Sequence, residues 1–469
     1  MSTSTPHPDE EPVTAEGTFT ADEVKVLETT GFFRVKSSNN KRKVSGLLLT
    51  PSDSGASDYG SRSSSAVSSA SMRLRGSTSA LSTKDFDLPT SSESVAALEF
   101  LGFEKPTAQQ IFTRWEMRGD PDDYPYSFLE HAIGQFEHRK QNDLSDSEFM
   151  KAVGFNQEIR EAILDPQCYS VFSTENLQYW MRDTMTSRFA TMEHLHNRCH
   201  AIASRGGSGK QLHPKKRPCI GLESSAQGGP SITATQLSAK SMSVSTIPND
   251  LNFPKGKVRF GPPAAALHDH LTLYKGRVAH TDPTSPLVQL DGTVRLSGIN
   301  TRSGGDFNSE KLASYWTPEL ATAELYRFYA HRRNNYAETW IISIQVPNTF
   351  LRSLRKEDLW YGSDWKQYVY LCRRETPHLD IPPRFNKLYS AEVMEGHICS
   401  RLPHLIYKIK QENVQSTISE EFLLHCEGKN GQVKKTTQWA FLGGDVVVHL
   451  SNAVQGKLHI DVHAADPFP

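Results

Sequence analysis

The chain has 469 residues, enough for more than one hydrophobic core, with 37% hydrophobic residues and a formal net charge of −1. So near neutrality, the charge argues against nucleic acid or anionic lipid as a main partner, and no apolar run approaches the roughly 20 residues of a membrane-spanning helix. Six scattered cysteines with no CxxC pair argue against a disulfide framework and for a reducing compartment. The polar, acidic start from Met1 to Glu16 lacks the basic end and apolar run of a signal peptide, so a cytoplasmic or nuclear location is expected.

Residues 1–88 read as mostly disordered. Short apolar runs at Val24–Leu27 and Val44–Leu49 suggest one small hairpin, and residues 51–83 are so rich in Ser, Gly and Ala that they read as flexible spacer. Residues 89–204 form an all-helical module, because apolar residues recur at helical spacing: Val95, Leu98 and Leu101, then Ile111, Phe112 and Trp115. Ser91 or Ser92 is expected to cap the first helix, and Pro106 to open the second. Further helices are expected at 126–139, 145–153, 156–164 and 175–197. This module is the expected docking surface for an unknown protein partner.

Two motifs near the end of that module invite ligand readings. His196 and His200 lie one helical turn apart beside Cys199, a spacing compatible with metal ligation, but no second ligand pair accompanies them and no metal is assigned. Gly206–Lys210 has the flavour of a phosphate loop, yet Ser204 and Gln211 stand where the pattern needs Gly and Ser/Thr, which favours a linker. Residues 205–266 read as a flexible linker, and its Lys215-Lys216-Arg217 run as a solvated charge cluster or an import patch.

From residue 267 to 463 the pattern becomes α+β. Strands are expected at 271–274, 340–346, 392–398, 405–409, 437–442 and 457–462, and helices at 318–333, 350–354 and 364–373. The order of motifs here is Leu273-Tyr274-Lys275-Gly276-Arg277, Gly304-Gly305-Asp306-Phe307-Asn308, Ser314-Tyr315-Trp316-Thr317-Pro318 with Ala321 and Ala323, and finally Thr437-Gln438-Trp439. That order resembles the ADP-ribosyltransferase-like fold, whose split mixed and antiparallel β-sheet the resemblance implies for this half.

The resemblance further implies NAD+ as substrate, with transfer of ADP-ribose to an intracellular target or NAD+ hydrolysis. By motif, Lys275, Tyr315 and Gln438 stand at the catalytic positions: Lys275 on the nicotinamide ribose, Tyr315 stacked on nicotinamide, Gln438 toward the ribose hydroxyl. Tyr274, Gly276, Arg277, Asp306, Phe307 and Thr317 stand at cofactor-binding positions, with Gly276 offering its backbone to the amide and Arg277 facing the pyrophosphate. Lys275 replaces a His or planar Arg, and neutral Gln438 replaces a carboxylate, so the alternative is a non-catalytic scaffold with a degenerate transferase-like domain. The whole chain also resembles a group of filamentous-fungal proteins of uncharacterised function that carry the blocks at 305–308, 396–399 and 437–439, a resemblance that implies no activity.

Overall fold

A computed structural model describes residues 17–34, 40–49, 68–75, 84–119, 124–139, 141, 144–206, 257–279, 286–300, 305–374, 381–428 and 430–467. The phosphate-loop-like segment beyond Gly206, the Lys215–Arg217 cluster, Gly304, and residues 51–67 and 76–83 of the expected spacer lie outside them.

The N-terminal elements are helix α1 (Ala21–Thr29), strand β1 (Lys41–Ser45), strand β2 (Ala70–Arg75) and strand β3 (Asp85–Pro89). They replace the expected hairpin: Val24–Leu27 lies inside α1, where a Thr20/Glu23 capping box starts the helix, and β1 pairs antiparallel with β3. Five helices follow: α2 (Val95–Leu101), α3 (Lys105–Glu116), α4 (Phe128–Glu137), α5 (Asp146–Ala152) and α6 (Gln157–Ile163). Reciprocal Ser/Glu caps begin α4 and α5, while Ser94, not Ser91 or Ser92, caps α2, whose end is closed by left-handed Gly102 at φ 113°. The short α7 (Tyr169–Phe172) leads into the long α8 (Leu177–Gly206).

The remaining elements are β4 (Val258–Phe260), β5 (His270–Val278), β6 (Ala313–Trp316), α9 (Leu320–Arg333), β7 (Thr339–Pro347), α10 (Asn348–Ser353), β8 (Lys356–Leu359) and α11 (Ser363–Cys372). After these come α12 (Asn386–Tyr389), β9 (Val393–His397), α13 (Pro403–Tyr407), α14 (Val414–Thr417), β10 (His425–Glu427), β11 (Val433–Lys435), β12 (Thr437–Leu442), α15 (Gly444–Ala453) and β13 (Leu458–His463). The expected strand at 405–409 is instead covered largely by α13, because Pro403 occupies the first helical turn, where its fixed φ and missing donor do no harm.

The strands form two principal sheets, a five-stranded one in the order β4-β2-β13-β7-β5 and a four-stranded one in the order β6-β12-β9-β8. The larger is mixed, with β2 parallel to both β4 and β13, and β13 antiparallel to β7. β2 comes from the segment read as spacer and β4 from the segment read as linker, so both assignments are corrected at these residues. Ala70 and Met72 of β2 join the apolar core between sheet and helix, while Arg73 and Arg75 on the alternate face pair with Asp461 of β13. A strand of this alternating kind is stabilised by its neighbours, which composition alone does not reveal.

The helical module is not a separate bead. One core contains its Ile163, Trp180 and Met181 together with Tyr329 of α9, Leu402 and Ala465. Polar ties cross the same boundary: Arg333 pairs with Asp183 at 2.6 Å, Tyr329 donates its hydroxyl to the Ile163 carbonyl at 2.8 Å, and the Asn334 amide donates to Thr191 at 3.0 Å. Among the described residues, no helix is long and apolar enough to cross a membrane.

Candidate functional site

The two sheets meet at their edges. The Tyr274 N–H of β5 donates to the Thr317 carbonyl at 2.7 Å, and the Thr317 N–H donates back at 3.0 Å. Beyond this bridge the edges part, and a cavity of about 460 Å³ opens between them. Its walls include Tyr274, Lys275, Gly276 and Arg277 of β5, Asp306, Tyr315 and Thr317 from the connection and strand β6, and Gln438 of β12. Residues from the other half of the chain complete it: Glu175 from the turn before α8, and Tyr179, Arg182 and Asp183 from α8. The size falls within the range of small-ligand sites.

Every residue assigned from the motifs except Phe307 therefore faces one cavity. Phe307 is 1% exposed and belongs to the core beneath the smaller sheet, where only its backbone N–H reaches the site region by donating to the Tyr315 hydroxyl at 3.0 Å. The Tyr315 hydroxyl in turn donates to Asn308 Oδ1 at 3.2 Å. Tyr315 is thus fixed by the loop it braces, and burial, with the Asp306 charge nearby, holds its proton on far above the usual phenol range.

Asp306 is an architectural residue. Its carboxylate receives Arg373 Nε at 2.7 Å, the Cys399 N–H at 2.8 Å and Gln438 Nε2 at 2.7 Å. The Arg373 guanidinium also donates to the Arg401 and Cys399 carbonyls, and although burial opposes its charge, Asp306 together with Cys399 and Glu175 outweighs burial and raises its pKa. Gln438 spends its amide N–H groups on Asp306 and on the His397 carbonyl at 3.2 Å.

Gly276 carries two constraints. A Cβ there would lie 1.9 Å from the Ala323 carbonyl oxygen, so only glycine lets α9 pack this closely on β5. In an antiparallel ladder, residues two apart direct their backbone groups to the same side. Tyr274 uses its outward pair on Thr317, so the N–H and C=O of Gly276 point toward the parted edge and the cavity.

The electrostatics favour an anion. Five cations, Arg182, Lys275, Arg277, Arg333 and Arg373, line the cavity against three carboxylates, Glu175, Asp183 and Asp306. Arg333 is matched by Asp183, Arg373 by Asp306 and Arg182 by Glu137 of α4, which leaves Lys275 and Arg277 in the cavity with Glu175. Lys275 donates one N–H to the Tyr315 carbonyl at 3.0 Å, and burial, reinforced by Arg277, pulls its pKa down to about 7. Burial likewise lowers Arg277 to about 10 against the opposing pull of Asp183 and Tyr179. Glu175 is pushed up to about 7 by burial, with Arg373 working against the shift and Asp306 with it. Its exposed area faces the cavity, which is why the side chain counts as half-buried while its charge is so poorly solvated.

No protein-family profile, curated protein or solved structure matches this chain.

The histidine motif has local partners. His196 Nε2 is 2.7 Å from the Pro89 carbonyl, and burial pushes its pKa down to about 4; His200 Nδ1 is 2.8 Å from Glu23 Oε1, and Cys199 lies in the core. Sequence reasoning missed Glu175, Tyr179, Asp183 and Arg333, since each reads as ordinary helical surface. A signal was present in the small polar residues Thr184, Ser187 and Thr191, which are buried at helical spacing along α8 and admit Arg333 and Asn334 of the opposite half.

Proposed function

We propose that the protein binds NAD+ in this cavity and cleaves its nicotinamide–ribose bond, in the manner of ADP-ribosyltransferase-like domains. The observation that carries this reading is the parted edge of β5: the outward amide and carbonyl of Gly276 offer the complementary pair that a carboxamide needs, and Tyr315 and Lys275 line the same cavity. The split pair of sheets, whose strand edges bridge at Tyr274–Thr317 among the described residues, supports the same assignment. The cation surplus suits a pyrophosphate, and a desolvated Lys275 with donors to spare suits ribose or phosphate oxygens. Bond cleavage is favoured by holding the cationic ribosyl centre in a fixed polar environment, which such a site supplies without reorganisation.

We take water as the acceptor, in a cavity one wall of which is formed by Tyr179, Arg182 and Asp183 of α8. Incubating the full chain with NAD+ labelled in the nicotinamide ring tests this. Release of nicotinamide with free ADP-ribose is the expected result; absence of release and of transfer across varied acceptors would sink the proposal.

One observation favours a second reading, a non-catalytic scaffold whose helical module binds a protein partner. Gln438, Asp306 and Arg373 satisfy one another so fully that Gln438 of the Thr437-Gln438-Trp439 block is accounted for by structure alone. On that reading Lys275→Ala leaves cellular function intact, whereas on the first it removes it.

A further inference from the structure

We infer that Glu175, delivered by the helical module, is the catalytic carboxylate of the cavity, completing a site that the α+β half lacks on its own. The inference rests on the NAD+ reading above and assigns within it the group that Gln438 cannot provide.

Three observations lead to it. The site has a gap: Gln438 is neutral and its amide is committed, Asp306 is saturated by three donors, and Asp183 is paired with Arg333. Among the described residues, Glu175 alone of the lining carboxylates faces the cavity with no hydrogen-bond donor on its side chain, its neighbours being Arg373, Asp306 and the rings of Tyr179, Tyr315 and Tyr326. Its placement is built, since the turn holding it is fixed by the Thr174 hydroxyl on the Val171 carbonyl at 2.7 Å and by the Asn176 side chain capping the Tyr179 N–H at 2.7 Å. A carboxylate desolvated and left without a donor is costly unless something in the cavity uses it.

The step balances as a hydrolysis. The ribose C1′–nicotinamide nitrogen bond breaks, and its electron pair passes to nicotinamide and neutralises the pyridinium charge. The oxygen of a water bonds to C1′, and Glu175 takes the proton that the water loses, returning it to solvent afterwards. The ionised form is the active one. Burial sets its titration, with Arg373 opposing and Asp306 adding to the shift; the phenols that face it, Tyr179 of α8, Tyr315 of β6 and Tyr326 of α9, are themselves pushed up by burial and by its charge and stay protonated.

The test uses the full chain and measures nicotinamide release from NAD+ across pH. Glu175→Gln should fold, since it removes an isosteric buried charge, and should lower kcat by at least about 100-fold while KM changes little. The wild-type rate should climb as pH rises toward 7, and Glu175→Gln should lose that climb. Should the Gln variant not fold, Glu175→Asp retains the carboxylate and must retain the climb at reduced kcat. If the wild type releases nicotinamide and Glu175→Gln stays within about threefold of it, Glu175 is not catalytic and the NAD+ reading stands. If the wild type neither binds nor cleaves NAD+, both are overturned.

Discussion

Removing the Asp306 carboxylate should unfold the smaller sheet's end of the site before it affects any ligand. Asp306 and Arg373 have side chains 3% and 2% exposed, so Asp306→Ala strands a guanidinium charge in the interior and leaves the Cys399 N–H and the Gln438 amide without their acceptor. Breaking a buried pair from one side costs about 3–5 kcal/mol, whereas replacing both members with apolar groups of similar volume is often neutral. Asp306→Ala should therefore lose about that much in urea denaturation followed by tryptophan fluorescence, and Asp306→Leu combined with Arg373→Met should recover most of it. Asp306→Asn should fall between, because it keeps an acceptor oxygen and drops the charge. A loss below about 1 kcal/mol for Asp306→Ala would refute the view that this residue is architectural.

Three more outcomes follow from the same contacts. Gly276→Ala should destabilise the fold by at least about 1–3 kcal/mol, since its methyl collides with the α9 backbone at Ala323; a melting temperature equal to wild type would contradict the packing. Lys275 has a folded pKa near 7, below its unfolded value, so the unfolded chain holds the extra proton between about pH 7 and 10.4 and stability gains with pH across that window. Lys275→Met should accordingly melt higher than wild type at pH 6, with the gap closing toward pH 10; an unchanging gap would show that Lys275 is well solvated. Deleting residues 1–83 removes β2 from between β4 and β13 and exposes the β13 edge, so the truncated chain should aggregate on size exclusion where the full chain does not.

The C-terminal strands were legible because they are rich in β-branched and aromatic residues and bounded by turns. Thr437–Leu442 runs as read, and β5 and β7 extend the expected strands by a few residues. What escaped is what depends on partners. β2 has the sequence Ala-Ser-Met-Arg-Leu-Arg, whose period of two is genuine but is hidden by the Ser-rich composition around it. Pro403 turned an apolar run into a helix start. In the site, the assigned motif residues other than Phe307 lie together around one cavity, but their individual contacts were beyond reach. No spacing rule says that Asp306 meets Arg373, or that Tyr315 is held by Asn308, because both pairings are made by loops whose course depends on the whole core. The contribution of α8 and the turn before it was the largest omission, because Asp183 is held by Arg333 of the half that follows and Glu175 opens into a cavity that half lines, neither of which helical spacing reveals.

The most direct test of the cavity's assignment is the structure of the full chain with nicotinamide bound. The carboxamide should lie within hydrogen-bond distance of the Gly276 N–H and C=O, with the ring against Tyr315 and the ring nitrogen directed into the cavity lined by Lys275 and Glu175. Nicotinamide bound elsewhere, or no occupancy at saturating concentration, would contradict that assignment.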